Sequence, residues 1–225
     1  MAYRRTERVV RRLAARHDAI LAAARAAATE GGMAAVQIAP VAERAGIAAG
    51  TVYRYFPSKA GLVNDLIAAA CKQEVEAMRK AAEAAPGPLS AIAAAIATFG
   101  QRALGNRRLA WALLAEPADT DTETVRLSFR RALAAELDRL IRAAANAGLL
   151  PAEETSGVAA PALVGAMLEG LIRPLAPEAE ASPARRREAV QSLTLLLLRA
   201  LGVADARARG LVVQTIMPQP TEGAA

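Results

Sequence analysis

Cysteine and histidine occur once each in 225 residues, as Cys71 and His17. One thiol makes neither a disulfide framework within a chain nor a CxxC pair, and one imidazole cannot supply a multi-histidine metal site. No metal and no cofactor is therefore expected. Aromatic residues are only 3% of the chain and β-branched runs are few, whereas alanine recurs in nearly every block, so helices are favoured over strands. Long apolar runs are also missing. The longest charge-free stretch, Ala84–Gln101, is cut by Pro86, Gly87 and Pro88, which argues against a membrane span. There is no P-loop, dinucleotide fingerprint, paired carboxylate or nucleophile–base pair, so enzymatic chemistry is not expected. What the chain does have is 54% hydrophobic and 22% charged residues, enough apolar material for a packed core.

The net charge of +6 is not spread evenly. Residues 1–60 hold ten Lys/Arg against four acids, and the remainder is balanced. A polyanion is thus the expected partner of an N-terminal module alone. The arginines from Arg4 to Arg16 are followed by no clean apolar segment with a small-residue cleavage site, so a soluble, cytoplasmic protein is expected. These arginines read equally as an arm reaching phosphate or a minor groove and as a solvated, frayed start.

Hydrophobic periodicity and punctuation predict about nine helices. The first spans residues 8–30 and stops at Gly31-Gly32. Short helices at 38–45 and 49–56 are separated by a short turn containing Gly46, the spacing of a helix-turn-helix. Ser58 caps a long helix with Leu62, Leu66, Ala70 and Met78 on one side, ended by Pro86-Gly87-Pro88. Further helices are expected at 89–104, 107–115, 121–147, 154–175 and 183–201. Thr120 with Glu123 reads as a capping box, Gly148 as a helix stop, and Ser182-Pro183 as a cap with proline in the first turn. The tail after Gly202 is expected to fray.

The run from Ile38 to Leu62 reads IAPVAERAGIAAGTVYRYFPSKAGL. Its VAxxAG, GTVYxYF and SKxxL elements, at these offsets, resemble the DNA-binding domain of the TetR family of regulators, and the resemblance covers Ile20–Leu66. Residues 67–225 resemble that family only as a run of long helices. The resemblance implies an all-α chain with an N-terminal three-helix helix-turn-helix domain (1–60, with the basic arm), a helical ligand-binding and dimerisation domain (61–205), and a tail (206–225). It implies a dimeric, ligand-responsive, sequence-specific regulator of transcription, most often a repressor; the apolar groups of the C-terminal part point to a small apolar effector that releases it. Its partners would be a pseudo-palindromic double-stranded DNA operator, a small molecule and a second copy of the chain. A helical sensor or nonspecific DNA binder without operator specificity is the alternative, and a helical enzyme a more distant one.

The residues expected at DNA are Gln37, Ala49, Gly50, Thr51, Tyr53, Arg54 and Lys59. Gly50 leaves room for a duplex, Thr51 offers a hydroxyl and a methyl to a base edge, and Arg54 adds charge. By resemblance, Tyr53 and Lys59 are phosphate contacts. Val41, Ala42, Ala45, Val52 and Phe56 read as the core between the two helices. The chain departs from the family pattern at Gln37 and Ala48, where hydroxyl residues are usual, and at Ala28, where a large aromatic is usual. In the C-terminal part the large apolar groups Phe99, Trp111, Leu114, Phe129 and Met167 read as a ligand pocket or as ordinary core. Ala162, Ala166 and Gly170, with Leu193, Leu197 and Leu198, read as a dimer interface. His17 and Cys71 read as structural, and Glu116-Pro117 as a helix stop.

Overall fold

Every regular element among the described residues is helical. The computed structural model describes residues 2–151, 157–174, 176 and 182–215, with side chains from Glu7 onward. Its α-helices are α1 (Ala2–Gly31), α2 (Ile38–Arg44), α3 (Ala49–Tyr55), α4 (Lys59–Glu83), α5 (Pro88–Gly105), α6 (Arg107–Leu114), α7 (Thr120–Asn146), α8 (Ala159–Leu171), α9 (Pro183–Ala200) and α10 (Asp205–Gln214). A 3-10 turn, Met33–Ala35, joins α1 to α2.

Side chains and proline set most boundaries, as local chemistry dictates. Ser58 Oγ accepts the Gly61 N–H at 3.0 Å, Asn106 Oδ1 accepts Leu109 N–H at 3.0 Å, and Ser182 accepts from Arg185 ahead of Pro183. One cap differs from expectation. The residue before α7 is Asp119, whose carboxylate accepts both the N–H (2.9 Å) and the hydroxyl (3.1 Å) of Thr122, and Thr120 is already helical. A carboxylate one residue upstream outcompetes the threonine hydroxyl because it takes two hydrogen bonds and complements the helix dipole.

Two other expectations are corrected. α8 runs only from Ala159 to Leu171; the expected start at Glu154 lies outside the described residues. The expected frayed tail contains α10, which packs on α9 and α5 through buried Ala208 and Val212. Asp205, at its start, pairs with Arg199 of α9 and with Arg209 one turn on.

α5 is the centre of the larger part of the fold, packed by α4, α7, α8 and α9. Its Ile92, Ala93, Ile96, Ala97 and Phe99 are all buried. Gly100 lets α9 and α8 approach this helix: a Cβ there would stand 3.0 Å from Val190 and 3.2 Å from Leu171. Two charged side chains are buried, each with hydrogen-bonding partners. Arg126 of α7, fully enclosed, donates to the carbonyls of Ala112 (2.6 Å), Leu113 (3.2 Å) and Glu116 and to Glu123 (2.7 Å), closing the unpaired end of α6. Glu136 of α7 accepts from Arg79 of α4 (3.0 Å) and from Arg139 (2.5 Å).

The N-terminal helices are docked firmly on this body. α1 packs against α4 and α6. Asn106 donates to Thr29 Oγ1 at 3.1 Å, and the Glu116 carboxylate accepts the Met33 N–H at 3.0 Å, so the Glu116-Pro117 stop also ties α6 to the turn before α2.

Candidate nucleic-acid interface and interior cavity

α2 and α3 form a helix-turn-helix held from beneath. Gly46, at φ 65°, turns the chain between them, and the Ile47 N–H reaches back to the Ala42 carbonyl at 3.0 Å. Val41, Ala42, Val52 and Phe56 are buried and Ala45 is half-buried, packed against Ile20, Ala24 and Leu62 in one continuous core. The His17 ring lies 5.0 Å from that of Phe56, which accounts for it as packing. Ala28 is buried beside them with no aromatic needed.

The opposite surface carries most of the residues expected at DNA. Gln37, Ala49, Gly50, Tyr53, Arg54 and Lys59 are exposed, and Thr51 is half-buried. Tyr53 keeps 52% of its surface, unusual for an aromatic in a chain with so few. A Cβ on Gly50 would meet nothing within 4 Å, so nothing in the chain's own packing calls for glycine there. Gln37 begins α2 without capping it: its amide donates instead to the Ala34 carbonyl at 2.9 Å. Ala48 leaves α3 without a side-chain cap. Arg44 is engaged elsewhere, in a two-pronged contact with Glu30 at 2.6 and 2.8 Å.

An interior cavity of about 1150 Å³ opens between α1, α4, α5, α6, α7 and the start of α9. Three of the five expected pocket residues line it: Phe99, Leu114 and Phe129. Two do not. Met167 is fully enclosed in α8, and Trp111 borders a separate shallow depression of about 350 Å³ beside Arg107 and Ile172. Helical geometry explains the split: in α6, Leu109, Ala110, Leu113 and Leu114 share the inner face, and Trp111 falls off it.

The cavity also carries charged groups on its wall. Arg25 of α1, Glu74 of α4 and Arg102 of α5 meet on its wall, with Arg102 donating to Glu74 at 2.8 Å and Arg25 to Gln73 at 2.6 Å. Burial raises the Glu74 carboxyl above its ordinary range, opposed by Arg102 and Arg25; burial and the neighbouring Arg102 lower Arg25. Sequence reasoning passed over this group. The signal was present, because Glu74 occupies the gap in the apolar stripe Leu66, Ala70, Met78. Cys71, one turn away, has its thiol pushed up by burial and by Glu74, away from the thiolate form.

The expected dimer residues divide. Ala162 is exposed and Ala166 and Leu193 half-buried on the outer side of α8 and α9, together with Val158 and Leu196. Leu197 and Leu198 are buried in the chain's own core and offer no surface. Gly170 serves contact inside the chain, where a Cβ would lie 3.3 Å from Leu193. No helix among the described residues is long and apolar enough to cross a membrane.

Residues 20–66 match the family model of bacterial regulatory proteins, tetR family. A 53-residue stretch is 53% identical to the HTH-type transcriptional repressor KstR of Rhodococcus jostii RHA1, covering 24% of this chain and 25% of that protein. KstR of Mycobacterium tuberculosis H37Rv is 54% identical over 48 residues, 21% of this chain and 22% of that one. The matches thus span about a quarter of the length of these curated relatives. Among solved structures, the fatty acid degradation regulator FadR from Bacillus halodurans superposes with a TM-score of 0.72 at 19% identity, over 84% of this chain and 97% of that one. RolR in complex with resorcinol gives 0.65 at 19% identity, over 93% and 98%. FadR from Bacillus subtilis in complex with stearoyl-CoA gives 0.61 at 18%, over 88% and 98%. At such identities the likeness establishes the fold.

Proposed function

The chain is a member of the tetR family through its residues 20–66, and from that premise we propose a sequence-specific transcriptional regulator that works as a homodimer and is released from its operator by a small molecule. The carrying observation is the two-sided nature of α3. One side, Val52 with Phe56 just after the helix, is sealed in the core; the other presents Gly50, Tyr53 and Arg54, with Lys59 following at the start of α4. Among the described residues, Arg54 and Lys59 make no ion pair, unlike Arg44. Unpaired cations beside an open backbone suit a phosphate-lined groove, and a helix is the element a major groove admits.

In this reading Gly50 and Thr51 meet base edges, while Tyr53, Arg54 and Lys59 bind phosphate, with Ala49 and Gln37 at the margin. The interior cavity is the effector site. KstR is a repressor, and the two similar folds solved with resorcinol and stearoyl-CoA hold ligands of unlike chemistry, which supports a ligand response without naming the ligand. A helix-turn-helix dimer reads two half-sites about one helical turn apart. Selection of bound fragments from random double-stranded DNA by the purified protein tests this: a two-fold symmetric motif is expected. Recovery of no motif, with equal retention of all fragments, would leave a nonspecific binder.

A further inference from the structure

Among the described residues the cavity's charge is one-sided: Arg25, Lys80, Arg102, Arg186 and Arg187 line it against one carboxylate, Glu74, which is already bonded to Arg102. Lys80 has its own partner in Glu76, and Arg186 reaches the Leu104 carbonyl only at 3.5 Å. Like charges gathered on a partly enclosed wall favour a negative guest and reject a positive one. Beyond them the wall is apolar, with Phe99, Leu113 and Phe129.

We propose that the cavity takes an amphipathic organic anion, its acidic group held by Arg25 and Arg102 and its apolar body against Phe99, Leu113 and Phe129. Arg25 transmits its arrival to the DNA-binding helices, because it belongs to α1 while Arg102 belongs to α5. The inference rests on the reading of this cavity as the effector site, and supplies the chemistry and the route. Arg25 reaches across to α4, where Gln73 accepts its hydrogen bond at 2.6 Å. An anion that draws Arg25 toward Arg102 exchanges that bond for one bridging α1 to α5, and α1 packs directly on α2. A carboxylate and a phosphate monoester share the required chemistry.

Calorimetric titration with decanoate, decyl phosphate, decanol and decylammonium separates charge from chain. At least one of the two anions is expected to bind about tenfold or more tightly than decanol, with decylammonium weakest. The better anion names the headgroup. Arg102→Met and Arg25→Met are each expected to reduce that preference about tenfold while decanol binding changes little. Decanol or decylammonium binding as well as the anions, or no anion binding at millimolar concentration, overturns the proposal; the wild-type comparison needs no variant to fold. Operator affinity is then measured with and without saturating anion. A shift in the wild type that disappears in Arg25→Met supports the route through α1. A shift retained in Arg25→Met, or selective anion binding with no shift, overturns that route. An operator response to decanol equal to that for the anions would overturn the anion and leave the effector reading standing.

Discussion

Lys59 and Thr51 lie one helix apart on the same surface, and their chemistry separates their effects. An ammonium neutralises phosphate whatever the sequence, whereas a half-buried hydroxyl and methyl can favour one base edge. Lys59→Ala is expected to weaken binding to operator and random DNA alike and to reduce the magnitude of the salt slope by about 1, read by fluorescence anisotropy across a salt series. Thr51→Ala is expected to change preference within the half-site by about 1 kcal/mol or more, with little effect on random DNA. Loss of equal size on both DNAs from both substitutions would remove this division of roles. At this scale the helix-turn-helix was legible because its residues stand at fixed short offsets, and most of those expected at DNA are exposed. Arg126 was not. It closes α6 by partners ten to fourteen residues away, and nothing local distinguishes it from Arg130 or Arg131, which retain solvent. The pair Glu74–Arg102 joins two helices and was equally hidden, although a carboxylate on an apolar stripe marks half of it.

Between elements, the contact of α4 with α7 carries a pH signature. Burial alone would raise the Glu136 carboxyl, but the hydrogen bonds and charges of Arg139 and Arg79 outweigh it and hold it below its ordinary value. A carboxyl depressed in the folded state adds stability that is present above its unfolded pKa and is lost as pH falls through the folded one. Glu136→Gln is expected to lower stability by about 1–3 kcal/mol at pH 7, a modest figure because both arginines remain half exposed, with the gap to wild type closing below about pH 4. Urea midpoints at pH 7 and pH 3.5 check this; a gap that widens in acid would mean the carboxylate is not the stabilising form. Helix boundaries were legible where a cap or proline sits beside an apolar repeat, as at Ser58, Pro88 and Ser182. α10 escaped notice because it buries only Ala208 and Val212 and leaves Val213 81% exposed, so its repeat is faint.

For the whole molecule, the outer side of α8 and α9 leaves Val158 at 69% and Leu196 at 57% exposure beside small residues that allow close approach. Under the proposed reading a second copy covers this face. Sedimentation at micromolar concentration is expected to give a dimer, and Leu196→Lys to shift it toward monomer with a parallel loss of operator affinity. A wild-type monomer would end the reading. Which leucines of α9 stay exposed was not legible: Leu195 to Leu198 advance about 100° per residue, so four in succession point nearly all round and only packing decides which face inward. α4, finally, is an unbroken rod from Lys59 to Glu83, fastened to α7 at Arg79. Lys59 therefore sits about 30 Å from that fastening at 1.5 Å per residue, and a tilt of about 5° there swings it by roughly 2.6 Å. Under the proposed reading, opposite swings in two protomers would sum to roughly 5 Å, more than one base-pair step, so this lever would turn a small tilt into a mismatch of register along the duplex.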